Sequence, residues 1–99
     1  MTKTLYVMHL EKTKIYNRLT KIMVERHVEN LRSWDNSGKL ELCGVFKGYK
    51  GVAGMLILRA ESYEEAEALC KAEPLVMEGF ATYKLYALQV ANRENNYLL

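Results

Sequence analysis

The apolar positions of this chain switch between two periods, and the switches mark its elements. Residues 4–10, Thr-Leu-Tyr-Val-Met-His-Leu, are apolar on both alternating faces. That is the mark of a strand covered on both sides. A polar connection, Glu11-Lys12-Thr13-Lys14, leads to a helical period over about residues 16–35. At roughly 100° per residue, Tyr16, Thr20, Met23, Val24, His27, Leu31 and Trp34 share one side. Arg18, Lys21, Glu25, Glu29 and Arg32 make the opposite, solvated side. Asn36-Ser37-Gly38 stops the helix, with Gly38 placed for a left-handed cap. In residues 39–46, Leu40, Leu42, Gly44 and Phe46 alternate with Lys39, Glu41, Cys43 and Val45, which predicts a second strand. Lys47-Gly48-Tyr49-Lys50-Gly51 is a glycine-bearing turn that makes a hairpin with a third strand over residues 52–60.

Ser62-Tyr63-Glu64-Glu65 then fits a capping box, in which the Ser62 hydroxyl accepts from the third helical amide and Glu65 reaches back to the Ser62 amide. The second helix runs to about residue 72 with Ala66, Leu69 and Cys70 facing inward. Pro74 helps to end it, because a residue before proline is pushed out of helical geometry. Glu73 continues the inward face, four residues after Leu69 and three after Cys70. Residues 80–90 are the last strand. Residues 92–99 form a C-terminal tail, in which Tyr97-Leu98-Leu99 is apolar enough to dock.

The order strand, helix, strand, strand, helix, strand is the split βαβ, or ferredoxin-like, α+β arrangement. It has a four-stranded antiparallel sheet with two helices on one face. The strands, however, are apolar on both faces: Leu5 and Val7 against Tyr6, Met8 and Leu10, then Leu85 and Ala87 against Tyr86, Leu88 and Val90. The helices cover one face, so the other calls for a partner, and a second copy of the sheet is the simplest. A homodimer packed through its sheet faces is expected.

Composition narrows the class. Ninety-nine residues suit one domain, with a core over about residues 4–91. Hydrophobic residues at 49% and charged residues at 26% are ordinary for a globular chain and argue against disorder. A net charge of +2 is too small to argue for nucleic acid or an anionic membrane as partner. Lys47-Gly48-Tyr49-Lys50-Gly51-Val52 partly resembles an RNA-recognition strand, but it lacks the small and aromatic residues that should follow. The strand beyond offers no stacking aromatics, so the segment reads as a basic hairpin tip. Cys43 and Cys70 make no disulfide framework and read as reduced, buried thiols that serve packing. Residues 1–10 carry Lys3 and His9 and lack a long apolar core, so no secretory signal is expected, and the longest apolar run, residues 52–58, is too short to span a bilayer. A cytoplasmic protein is the expectation.

Candidate chemistry centres on His27, which lies inside an apolar stripe, and on Glu73, at the inward end of the second helix. In a split βαβ fold the two helices lie side by side. A carboxylate near an imidazole fixes its tautomer and lets it act as general acid or base. The alternative reading makes His27 a packing residue and Glu73 a solvated helix end. His9, on the first strand, and Tyr6 are candidate ligand contacts, or else a satisfied sheet histidine and an amphipathic core residue. Two histidines without a convergent cysteine or aspartate set do not make a metal site. There is no phosphate loop, metal cluster or redox motif, so no cofactor is expected.

The chain resembles the YciI-like (YCII-related) family over about residues 5–90. The resemblance rests on Leu5-Tyr6-Val7, His27-Val28-Glu29-Asn30-Leu31, Gly38-Lys39-Leu40, Gly44, Glu61-Ser62 with Glu65-Ala66, Glu73-Pro74 and Gly79, in that order. It implies the dimeric α+β barrel form of the ferredoxin-like fold. It also implies a site built on a first-helix histidine, matched by His27, and on the aspartate of an Asp-Pro pair, matched by Glu73 before Pro74. The carboxylate is kept but moved out by one methylene, roughly 1.5 Å. The glycine matched by Gly44 is often followed by proline, and here Val45 follows. Members include a dehydrochlorinase of chlorinated hydroquinones, and the wider superfamily holds muconolactone isomerase and small monooxygenases. Two functions stay open. One is a small-molecule enzyme that uses His27 and Glu73 for cofactor-independent elimination or isomerisation, with His9, Gly44 and Tyr6 as ligand contacts. The other is a non-catalytic ligand-binding or assembly dimer.

Overall fold

The computed structural model describes residues 4–99. Residues 1–3, the start of the stretch read as lacking a secretory signal, lie outside the described residues. The chain runs β1 (Thr4–Lys12), α1 (Lys21–Asn36), β2 (Leu40–Val45), β3 (Val52–Leu58), α2 (Tyr63–Ala72), α3 (Pro74–Met77) and β4 (Ala81–Gln89). The strands pair antiparallel in one sheet, in the order β2-β3-β1-β4. This is the ferredoxin-like α+β topology that the order of elements predicts.

Register decides which side chains reach the helices. Tyr6 pairs with Leu58 and Met8 with Leu56 on one side of β1, and Met8 pairs with Leu85 and Leu10 with Tyr83 on the other. These residues share a face because strand side chains alternate. They pack with Trp34 of α1, Ala66 and Cys70 of α2, and Leu75 of α3. Met8 and Leu58 are fully buried, each contributing roughly 1.5–3 kcal/mol by leaving water. The opposite face carries Val7, His9, Met55 and Ile57 in register across β1 and β3. Leu42 (59%), Tyr86 (54%) and Leu88 (45%) on that face remain exposed to solvent. The second apolar face read from the strands is therefore present, and among the described residues no layer covers it.

The first helix differs from the sequence expectation. A 3₁₀ turn spans Tyr16–Arg18, and α1 starts afresh at Lys21. Thr20 is the cap, its hydroxyl accepting from the Met23 amide at 3.2 Å. It is therefore not part of the buried stripe, because capping competes with helix propagation for threonine. Val24 is exposed as well, which leaves Met23, His27, Leu31 and Trp34 as the inward side. For α2, the Ser62 hydroxyl accepts from the Glu65 amide at 3.1 Å as expected. The Glu65 carboxylate reaches the Glu61 amide at 3.2 Å rather than that of Ser62.

The second strand departs more. A register shift lies between Leu40 and Leu42, after which Leu42 pairs with Ile57 and Cys43 with Leu56. The extra residue reverses the alternation. Leu40, Cys43 and Val45 thus face the helices, whereas Leu42 and Gly44 face away. Cys43 is exposed, not buried, because β2 is an edge strand on which only Leu40 is buried. Gly54 of β3 is where that edge comes close: a Cβ there would collide with the Gly44 carbonyl oxygen and lie 3.2 Å from the Val45 Cα. The tail, Arg93–Leu98, makes short 3₁₀ turns broken by a kink at Asn95, Asn96 and Tyr97, and Asn92 caps its start. Tyr97, Leu98 and Leu99 are exposed, so they do not dock on this chain. Among the described residues no helix is long and apolar enough to cross a membrane.

Candidate active site

Glu73 is fully buried, the one charged residue among those buried in the described chain. Its placement comes from a junction, not from the helix face that spacing implied. At φ −68° and ψ 127° it closes α2 and begins α3. Pro74 enforces this, since it disfavours helical geometry in the residue before it and suits the first position of the next helix. The Glu73 Oε2 atom accepts from the amides of Leu75 at 2.8 Å and Val76 at 3.3 Å. A buried carboxylate without such donors would be strongly unfavourable.

The remaining oxygen, Oε1, meets His27 Nδ1. Because Oε2 already holds two N–H donors, an Nδ1–H donating to Oε1 satisfies both groups. This places the imidazole proton on Nδ1 and leaves Nε2 as the basic nitrogen. Among the described residues Nε2 has no hydrogen-bond partner. The imidazole side chain is 20% exposed whereas its partner is 0% exposed. The imidazole therefore sits at a boundary, with the buried carboxylate behind it. The extra methylene of glutamate does not break the pair.

A cavity of about 100 Å³ opens beside His27, between α1, α3 and the β2–β3 hairpin. Leu10, Leu31, Leu56 and Leu75 make its apolar wall, and Tyr16 and Cys43 join His27 as its polar contributors. Gly44 also lines it. Tyr6 does not: it is a core residue, 8% exposed, edge-on to Tyr63 at 6.3 Å between ring centroids. Tyr6 lies four residues before Leu10 on β1, about 13 Å along the strand. His9 is also elsewhere. It alternates onto the open face, 5.7 Å from the Phe46 ring, and lines a separate cleft with Phe46, Tyr49 and Val52. The sequence reading missed Tyr16 and Cys43; the bulge in β2 that turns Cys43 inward leaves no mark in a simple alternation. Cys70 is a different case, because burial, then the charge of Glu67, push its thiol up to about 12. It stays a protonated packing group. Among the described residues no group of three or more His, Cys, Asp or Glu is arranged to hold a metal ion.

No family model matches the chain, and no curated protein matches it. Among solved structures, the chain is similar to the 5-chloro-2-hydroxyhydroquinone dehydrochlorinase TftG from Burkholderia phenoliruptrix AC1100, in complex with 2,5-dihydroxybenzoquinone. The likeness covers 93% of this chain and 99% of that one, at a TM-score of 0.66 and 14% identity. What the two share is the α+β fold.

Proposed function

We propose that this protein is a YciI-like, cytoplasmic enzyme acting on a small unsaturated molecule, and that it works as a homodimer packed through its open sheet faces. His27 and Glu73 carry out cofactor-independent acid–base chemistry, an elimination or an isomerisation. The observation that carries this reading is the buried Glu73 carboxylate, held on two backbone amides, hydrogen-bonded to an imidazole at the rim of an apolar cavity. In an elimination, His27 Nε2 takes a proton from a carbon next to a carbonyl, the C–H electrons form the new π bond, and the leaving group departs with its own pair. Glu73 stabilises the imidazolium, which then releases the proton. In an isomerisation the same proton returns to a different carbon. The fold neighbour named as a dehydrochlorinase supports this chemistry.

A second reading, a non-catalytic dimer that serves assembly or holds only a very small ligand, is favoured by the size of the cavity. At about 100 Å³ it is smaller than ordinary ligand pockets, which start near about 300 Å³. Chloride release from 5-chloro-2-hydroxyhydroquinone, the neighbour's named substrate, separates the two. The enzyme reading expects turnover that falls by roughly 10²-fold or more in His27→Ala while circular dichroism and sedimentation stay unchanged. Equal turnover in the variant sinks the assigned role of His27. The second reading expects no turnover by the native protein.

A further inference from the structure

Cys43 shares the cavity with His27. Its register opposite Leu56 puts it on the helix-facing side of β2, and its thiol is free and exposed. Across the cavity, Glu73 holds His27 through Nδ1, and Nε2 has no partner among the described residues. A nucleophile, a base and a group that orients the base are the parts of an activated thiol site. Here three separate elements supply them: the β2 edge, α1 and the junction between α2 and α3. The walls between them are leucines, which suits an uncharged ligand of small cross-section.

We infer that Cys43 is a nucleophile for electrophilic alkenes, such as enones and quinones, bound in this cavity, with His27 as the base that takes its proton. The inference rests on the reading of the cavity as a small-molecule pocket. In the step, the thiol proton passes to Nε2 and the sulfur forms a C–S bond at the carbon β to the carbonyl. The alkene π pair moves to give an enolate, and the imidazolium returns the proton to the α carbon or the oxygen. The product is a thioether, and no oxidant or reductant is consumed. Such a step makes Cys43 either a covalent participant in turnover or a trap for reactive unsaturated carbonyl compounds.

Acrylamide, an unsaturated amide small enough for the cavity, is the probe. The native protein is incubated with it near pH 7, where an unassisted thiol is mostly protonated, and adducts are located by intact-mass and peptide mass spectrometry. The adduct is expected on Cys43 with Cys70 unmodified, forming at least about tenfold faster than on glutathione and than on Cys43 of His27→Gln. A native rate no greater than that of glutathione overturns the inference, and this holds even where His27→Gln fails to fold. An equal rate in native protein and folded His27→Gln overturns it too. The pocket reading is tested apart by titrating the native protein with 2,5-dihydroxybenzoquinone. Shifts of the His27 ring resonances without fast alkylation overturn the nucleophile and leave the acid–base pair standing. No shift at all overturns the pocket reading on which the inference rests.

Discussion

Glu73 holds two neighbouring amides and one imidazole with its two oxygens, and each bond has a different consequence. The amide bonds fix the carboxylate where the chain turns from α2 to α3. The imidazole bond fixes the ring, which lines the cavity. Removing the carboxylate leaves the Leu75 amide and the His27 Nδ1–H without their partner, whereas the Val76 amide keeps the Glu73 backbone carbonyl at 3.0 Å. Glu73→Ala is therefore expected to lower the unfolding free energy by about 3 kcal/mol, read by urea denaturation. A loss under about 1 kcal/mol would mean that the carboxylate is not held as described. The residue types were legible in the sequence, since a histidine inside an apolar stripe and a glutamate before a proline both stand out. The reason for the glutamate's burial was not. Spacing placed it on a helix face, whereas a cap between two helices buries it.

At the scale of elements, the bulged β2–β3 hairpin shapes the cavity. One extra residue between Leu40 and Leu42 turns Cys43 inward, and Gly54 lets the β2 backbone close over β3. In Gly54→Ala the new Cβ would meet backbone atoms of Gly44 and Val45, which cannot rotate away as a side chain can. The expected cost is about 2 kcal/mol, together with a changed alkylation rate at Cys43, measured by thermal unfolding and mass spectrometry. An alanine variant as stable as the parent would show that the hairpin is looser than the packing indicates. The sequence reading located both strands of this hairpin to within a residue or two. It assigned the faces of β2 in reverse beyond Leu40, because strict alternation has no means of registering a bulge.

For the whole molecule, the open sheet face is what the proposed homodimer would cover. Leu42, Tyr86 and Leu88 stand exposed on it, with Met55, Ile57 and Val7 between them. An exposed apolar surface of that kind on a chain of this size supports the proposed dimer. Sedimentation at micromolar concentration is expected to give twice the mass of one chain, and the paired change Tyr86→Asp with Leu88→Asp is expected to give the monomer. A native monomer at that concentration refutes the dimer.

The alternation and helical spacing of the sequence were enough to determine the order of elements and the α+β class, because each element must present an apolar face of fixed period to a core. They also determined that the sheet has two apolar faces. Tertiary structure alone decided that His9 stands apart from the cavity beside His27. Strand register sends His9 to the open face, and the α2–α3 junction brings a buried carboxylate to His27. Long-range pairing sets both outcomes, between residues dozens of positions apart, and local periodicity carries no record of it.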